Sequence, residues 1–468
     1  MKLQVLTSSP LFKLTIFATL ALTLTLTQAN HTILPGSLSD HRVLLLSLSW
    51  CAAVSLAAYL ATRPRPVLLL DYSCHLPDPD RRCSLEVCEY FGLRSRRFSK
   101  TSEDFMRAIY SKSGLGDETY GPPLVFQPDY EAKHACAVQE AREGLFASVE
   151  AVLAKAAVDA SRITHLVVAC SMYSPAPSLA SVVVGRFGLS EDVKCYNLSG
   201  MGCSAGTLSV DLASRMLRSG VGYVLIVVTE SLSLNWYFGD DRHMLVTNCI
   251  FRVGTAAAIV TNDPAARPRA KMELIRTLRT HHGSDDAFYN AAIQKEDEHG
   301  SVGVSLTQDL VRVAGLALKK HISTLAPRVL PVSELLRYVY NVVKSYAAGD
   351  KKTEHVPDFT TAFEHMCIHA GGKAVIGAVG RIMKFSAEVV EPARMCLHRF
   401  GNTSSSLVFY ELAYFEAKGR IKEGDRVWML AFGTGFKACS VVWRALKDSW
   451  MDADNPWIGC IHRYPVKL

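Results

Sequence analysis

Residues 198–229 read LSGMGCSAGTLSVDLASRMLRSGVGYVLIVVT, with Cys203 set among Gly200, Gly202 and Gly206 just ahead of a stretch with helical periodicity. Leu208, Leu212 and Met216 recur at i, i+4 with Ala213 and Leu217 beside them, so a helix is predicted, with Gly220 placed to cap its C-terminus. The β-branched run Tyr223–Thr229 then predicts a strand buried on both faces. Unpaired N–H groups at a helix start favour negative charge, which gives a cysteine there thiolate character. Its small neighbours leave room for a carbonyl substrate. A buried structural cysteine is the other reading this motif allows by itself.

Outward from this segment the same grammar repeats. Val67–Asp71, Thr164–Cys170 and Ala256–Val260 are apolar, strand-like runs, and the helical patterns 130–160 and 208–219 lie between them. Alternation of this kind predicts α/β architecture. The Pro- and Arg-rich patch Asp263–Arg269 marks a boundary, and beyond it Arg426–Phe432 and Ala438–Trp443 are again strand-like. The chain is therefore divided into residues 1–66, 67–262 and 263–468, the last two being near-equal halves of similar grammar. Polar stretches at 283–303 and 347–357 are read as surface loops, either able to cover a site.

The 468 residues, 49% of them hydrophobic, are enough for a large core, and a net charge of +7 spread along the chain does not point to nucleic acid. Thirteen cysteines without a CxxC pair fit free thiols in a reducing compartment, not a disulfide scaffold or a zinc site.

Val43–Thr62 is twenty uncharged residues, the length of a membrane-spanning helix, and Leu14–Thr27 is a shorter apolar run. A hairpin of two spans is expected, with a signal-peptide core or an interfacial helix as the alternatives for the first run. Lys2 and Lys13 precede the first run while Arg63 and Arg65 follow the second, which puts both ends in the cytosol. The sequon Asn30-His-Thr32 lies between the runs and is read as chance.

A cysteine that forms thioesters needs neutral donors to polarise carbonyl oxygens. The second half supplies them. Cys367-Ile-His369-Ala-Gly-Gly runs from an apolar segment into a turn and a helix start, and Arg399-Phe-Gly-Asn402-Thr precedes the helix carrying Leu407, Leu412 and Phe415. His369 and Asn402 are thus catalytic candidates, with a structural histidine and a helix cap as the plainer alternatives. Gly433-Thr-Gly435-Phe-Lys437 either offers N–H groups to an oxyanion or simply turns a hairpin. His281 and His282 lack a second ligand pair and read as loop histidines making hydrogen bonds. No metal-ligand constellation is found.

Taken in order, GMGCSAG around Cys203, HAGGKAV from His369 and RFGNTSSS around Asn402 resemble the plant 3-ketoacyl-CoA synthases, the condensing enzymes of very-long-chain fatty acid elongation. Asn235–Gly239, Asn248–Gly254, Thr280–Asp286 and the paired N-terminal apolar runs belong to the same resemblance. It implies an α/β, thiolase-like duplicated five-layer fold with an N-terminal transmembrane hairpin, anchored in the endoplasmic reticulum membrane with its catalytic region facing the cytosol. It also implies that Cys203 takes the acyl group of a long-chain acyl-CoA, while His369 and Asn402 hold the thioester oxygen of malonyl-CoA as it decarboxylates. His365 and His398 match other histidines of the family and are assigned support, as are His281, His282, Gly433 and Gly435. Acyl-CoA and malonyl-CoA are substrates, no cofactor or metal is expected, and the bilayer, other elongase subunits (reductases, dehydratase) and a second copy are the expected partners. The family usually has proline where Thr247 stands, and Cys-Asn where this chain has Ala438-Cys439. A type III polyketide synthase and a non-catalytic partner of the elongase are the rival readings.

Overall fold

The computed structural model describes residues 46–56, 64–127, 131–349 and 355–467. The chain divides into two units, Met1–Arg65 and Pro66–Leu468. In the first, residues 46–56 form a helix with Leu46, Leu48, Trp50 and Leu56 exposed. Among the described residues no helix is long and apolar enough to cross a membrane. The expected span Leu14–Thr27 lies outside the described residues, and so do both ends of Val43–Thr62.

The second unit is built on β1 (Leu68–Cys74), β2 (His165–Ala169), β3 (Lys194–Leu198), β4 (Tyr223–Thr229), β5 (Thr255–Thr261), β6 (Met272–His281), β7 (Ala292–Glu296), β8 (Val302–Leu306), β9 (His365–Ile368), β10 (Arg426–Gly433) and β11 (Lys437–Ala445). Nine of them form one sheet in the order β3-β2-β4-β5-β1-β6-β11-β10-β9, and β7 pairs with β8. Reading outward from the short β1–β6 junction, where Leu69 faces Met272, each side has two antiparallel pairings and then a parallel one. Thus β1, β5, β4 and β2 are mirrored by β6, β11, β10 and β9. Strand β3, parallel to β2, has no counterpart among the described residues.

Strands β4 and β5 are buried at every position, as their unbroken Val, Ile and Ala runs require. The helix His134–Ala156 covers one face through Ala137, Ala141, Leu145, Val149 and Val152, all fully buried at helical spacing. On the other face lie two inner helices, Ala205–Met216 and Leu407–Ala417. The first touches β2 and β4 of one side and β10, β11 and β6 of the other. In Leu407–Ala417 every residue up to Glu416 is buried, the pattern of a helix enclosed all round.

Two expectations are corrected. The helix after Cys203 ends at Met216, and Gly220 does not cap it. Instead the Asn262 side-chain amide donates to the Leu217 and Gly220 carbonyls, so no left-handed glycine is needed. The stretch 283–303 is not merely a loop: it contains the short helix Asp286–Asn290 and the first strand of the β7–β8 hairpin. The middle of 347–357 lies outside the described residues.

Candidate active site

Cys203 occupies a tight turn, Gly202–Ser204, that leads directly into the helix Ala205–Met216. A matching turn, Ser404–Ser406, leads into Leu407–Ala417, and the two turns abut. Their closeness explains Gly206, since a Cβ there would sit 2.2 Å from the Ser405 carbonyl oxygen. His369 follows the end of β9, where its N–H donates to the Leu430 carbonyl (2.9 Å), and the helix Lys373–Met383 starts beyond the Gly371-Gly372 turn. Asn402 is held by a parallel bridge to Phe251: its N–H donates to Ile250 O (3.0 Å) and its carbonyl accepts from Arg252 N–H (2.9 Å).

These elements bring Cys203, His369 and Asn402 onto one cavity of about 510 Å³, whose apolar walls include Phe251, Leu306, Ala314 and Phe436. The Asn402 side chain is oriented at both ends: Nδ2 donates to Gly371 O (3.2 Å) and Oδ1 accepts from Ser404 N–H (2.8 Å). It therefore braces the turn, as a cap would, and its second amide hydrogen is turned toward the Cys203 sulfur. His369 is 2% exposed, yet neither ring nitrogen has a hydrogen-bond partner among the described residues. Leaving a buried polar group unmet costs about 1–3 kcal/mol, so this imidazole is built for a partner that the protein does not supply.

Burial governs both charges. It pushes the Cys203 thiol up to about 12, against the hydrogen bonds from Ser404 and Asn402 and with the Glu230 carboxylate adding to the rise. It brings His369 down to about 4. The thiolate expected at the helix start is thus a neutral thiol in the free protein. Desolvation outweighs the helix N–H groups even though the half-buried cysteine lines the cavity. The resting pair is thiol and neutral imidazole.

Two further residues shape the site: Ser404, inside the RFGNTSSS motif, and Glu230. Ser404 donates to Cys203 Sγ (3.5 Å) or to Glu230 Oε2 (3.1 Å), one hydroxyl proton serving either acceptor. It holds this place with a left-handed backbone, φ +56°, unusual for a non-glycine residue. Glu230 directly follows β4, and its Oε1 accepts from the N–H groups of Ser171 (3.0 Å) and Met172 (2.7 Å). A glutamate directly after a fully apolar strand was the available clue.

The supporting residues divide. Gly433, Gly435 and His281 lie on the cavity. The Gly433–Lys437 segment is indeed the β10–β11 hairpin turn, and it also closes over the cysteine, since a Cβ on Gly433 would meet Ser204 Oγ at 2.2 Å. His281 ends β6 and accepts from Gly283 N–H (3.1 Å). The buried His282 Nε2 has no partner, and its ring leans on Phe288 instead of making the expected hydrogen bond. His365 and His398 are not on the cavity: His365 Nε2 pairs with Asp425 (2.8 Å), tying β9 to the turn before β10, and His398 Nδ1 meets Tyr464 OH (3.2 Å). Thr247 lies buried in the helix Arg242–Ile250, its hydroxyl donating to Met244 O (2.6 Å). Among the described residues no group of His, Cys, Asp and Glu could hold a metal ion.

Solved structures place this fold. PKS-I from the brown alga Ectocarpus siliculosus superposes with a TM-score of 0.65 at 17% identity, covering 82% of this chain and 99% of that one. The fungal type III polyketide synthase ORAS gives 0.61 at 18%, covering 81% and 99%. The fold is the α/β, thiolase-like fold. A family profile described as FAE1/type III polyketide synthase-like protein matches residues 59–347, and one described as 3-oxoacyl-[acyl-carrier-protein] synthase III C terminal matches residues 360–445. 3-Ketoacyl-CoA synthase 17 of Arabidopsis thaliana is 45% identical over 89% of this chain and 86% of its own length, and 3-ketoacyl-CoA synthase 2 of the same plant is 46% identical over 88% and 79%. This chain belongs to the 3-ketoacyl-CoA synthase family.

Proposed function

We propose that the protein condenses a long-chain acyl-CoA with malonyl-CoA, giving a 3-ketoacyl-CoA two carbons longer and releasing CoA and CO2, the first step of very-long-chain fatty acid elongation. The observation that carries this reading is the partnerless, buried His369 on the same cavity as Cys203 and Asn402. Three groups suited to thioester chemistry converge there, and one of them awaits an acceptor.

Cys203 Sγ attacks the acyl-CoA carbonyl as its proton passes to the His369 imidazole, the bond to CoA sulfur breaks, and CoA leaves as a thiol with that proton. Because the resting thiol and imidazole are both neutral, charge separates only as the C–S bond forms. Malonyl-CoA then binds with its thioester oxygen at the His369 N–H and at the Asn402 amide hydrogen that faced the Cys203 sulfur before acylation. Loss of CO2 leaves the carbanion electrons on that oxygen, where two preorganised donors in a mainly apolar cavity stabilise them. The enolate carbon attacks the acyl-Cys203 carbonyl, the C–S bond breaks, and the departing thiolate takes a proton from solvent water. Decarboxylation supplies the carbanion, so this scheme uses no resident cofactor.

The type III polyketide synthase reading is disfavoured, since the 3-ketoacyl-CoA synthases align at 45% identity while the polyketide synthase structures share the fold at 17%. The mirrored strand order supports reading 67–262 and 263–468 as duplicated halves of a five-layer fold. We place the protein at the endoplasmic reticulum membrane, held by the N-terminal apolar runs, with its catalytic unit in the cytosol. The helix Val332–Ala347 suits that setting: Val332, Leu336, Val339, Tyr340 and Val343 are exposed along one face, a stripe able to rest in the lipid interface. Strand β3, an exposed sheet edge, is the natural seam for a second copy, and the reductases and dehydratase of elongation are the partners that consume the product.

Expression in a host lacking very-long-chain acids, followed by lipid profiling, tests the proposal. New longer acids that vanish with Cys203→Ala support it, and a profile indifferent to that substitution refutes it.

A further inference from the structure

Away from the cavity, two cysteines lie unusually close. Cys83, which precedes the helix Leu85–Ser95, and Cys88, in its first turns, bring their sulfurs to 3.2 Å. A disulfide needs about 2.0 Å, so small side-chain rotations would close the gap. Neither sulfur takes part in the condensation.

The third member of the cluster is Arg252. Its guanidinium is buried, and no carboxylate pairs with it among the described residues. Nη1 donates to the carbonyls of Phe251 (2.7 Å) and Cys249 (3.1 Å), Nε donates to Thr119 Oγ1 (3.0 Å), and Nη2 points at Cys88 Sγ (3.7 Å). A buried cation without an anion is costly, and the sulfur of Cys88 is the group placed to answer it. The hydrogen bond from Cys83 and, against the penalty of burial, the guanidinium draw the Cys88 thiol below the ordinary thiol range, while Cys83 is raised. Of the two sulfurs, Cys88 is the one that faces both the guanidinium and the adjoining cavity, which makes it the attacking thiolate and Cys83 the resolving thiol. A cavity of about 30 Å³ beside Cys88, bounded by Phe91, Tyr110 and Trp236, has room for a molecule of the size of water or hydrogen peroxide.

Arg252 also connects this cluster to the reaction centre. Its backbone N–H donates to the Asn402 carbonyl (2.9 Å), and its side-chain stem fills the space beside Gly401, where an added Cβ would lie 2.3 Å from Arg252 Cγ. A shift of the guanidinium is therefore passed through one residue to the carboxamide that holds the malonyl thioester.

We propose that Cys83 and Cys88 form a peroxide-sensitive dithiol whose closure to a disulfide lowers condensing activity through Arg252 and Asn402. The Cys88 thiolate attacks one peroxide oxygen; the O–O bond breaks, the departing hydroxide takes up a proton as water, and Cys88 becomes a sulfenic acid. Cys83 sulfur then attacks the Cys88 sulfur, the S–O bond breaks, and a second water leaves with the Cys83 proton. Overall, two thiols and one peroxide give one disulfide and two waters. The product carries no negative charge, so Arg252 loses its counter-ion and moves.

The test uses the full chain in its membrane, treated with hydrogen peroxide, then split between non-reducing peptide mapping and a condensation assay with and without dithiothreitol. Expected are a Cys83–Cys88 linked peptide and a several-fold fall in turnover that dithiothreitol reverses, with neither effect in Cys83→Ser. Cys83→Ala replaces that variant if the serine form does not fold, and the wild-type peptide map needs no variant. The proposal is overturned if no linked peptide forms, if linkage leaves turnover unchanged, or if Cys83→Ser shows the same reversible loss. The linked peptide is read without reference to the condensation, so its absence refutes this inference and leaves the proposed activity standing.

Discussion

Gly200 and Gly202 share a backbone conformation, φ +64° and +61°, but not a neighbourhood. A Cβ on Gly200 would meet nothing within 4 Å, whereas one on Gly202 would lie 2.6 Å from the Thr434 backbone nitrogen and 2.9 Å from its hydroxyl. Gly200→Ala therefore incurs only the left-handed penalty, about 1–2 kcal/mol. Gly202→Ala incurs the same penalty and must also drive the β10–β11 turn back by 3.4 − 2.6 = 0.8 Å to reach ordinary contact. Overpacking of that kind adds about 1–3 kcal/mol. The displaced turn lies over Cys203, and a shift near 1 Å at a reacting centre costs roughly a hundredfold in rate. Both variants are to be compared with wild type by urea denaturation and by condensation rate. Gly202→Ala should be the less stable by about 1–3 kcal/mol and the slower by one to two orders of magnitude. Equal stability and equal rates would refute the claim that the turn is packed against the cysteine.

Three more outcomes follow from the same geometry. With Cys203 raised to about 12 and His369 lowered to about 4, neither group changes protonation across the neutral range, so kcat/KM for acyl transfer should be flat there; a limb near pH 6.5 on these two groups would show an imidazole titrating at its ordinary value and contradict the effect of burial. Lys271, 7% exposed, meets Asp452 (2.8 Å), Glu416 (3.2 Å) and Asp71 (3.4 Å), so Lys271→Ala should destabilise the fold by about 3–5 kcal/mol in denaturant titration, and a loss below about 1 would contradict this placement. Ser404→Ala removes a donor shared by Cys203 Sγ and Glu230 and should lower kcat about tenfold with KM nearly unchanged; an unaltered kcat would remove Ser404 from the account.

What could be read from the chain follows from how local each signal is. Tyr223–Thr229 is a strand over the expected residues because an unbroken β-branched run has one good use, the middle of a covered sheet. Cys203 and Asn402 announce themselves through Gly202 and Gly401, which combine a positive φ with close approach of another segment. A helix start speaks locally for a thiolate at Cys203, whereas the burial that opposes it comes from segments 200 residues away. Glu230 and Ser404 went unnoticed for a related reason: each looks ordinary until the two turns meet. His365 and His398 belong to the family resemblance as supporting residues, and each anchors an element away from the cavity, His365 to Asp425 and His398 to Tyr464. The β7–β8 hairpin was hidden because its first strand, Ala292–Glu296, is mostly polar and exposed.

The central claim is that sulfur at position 203 carries the growing chain. Incubating the full-length protein with a long-chain acyl-CoA and no malonyl-CoA, then digesting it for mass spectrometry, reads this directly. The account predicts a single acyl thioester on the peptide containing Cys203, discharged when malonyl-CoA is added. An acyl group on any of the other cysteines that discharges into product, or product formed with no acyl-enzyme at all, would contradict it.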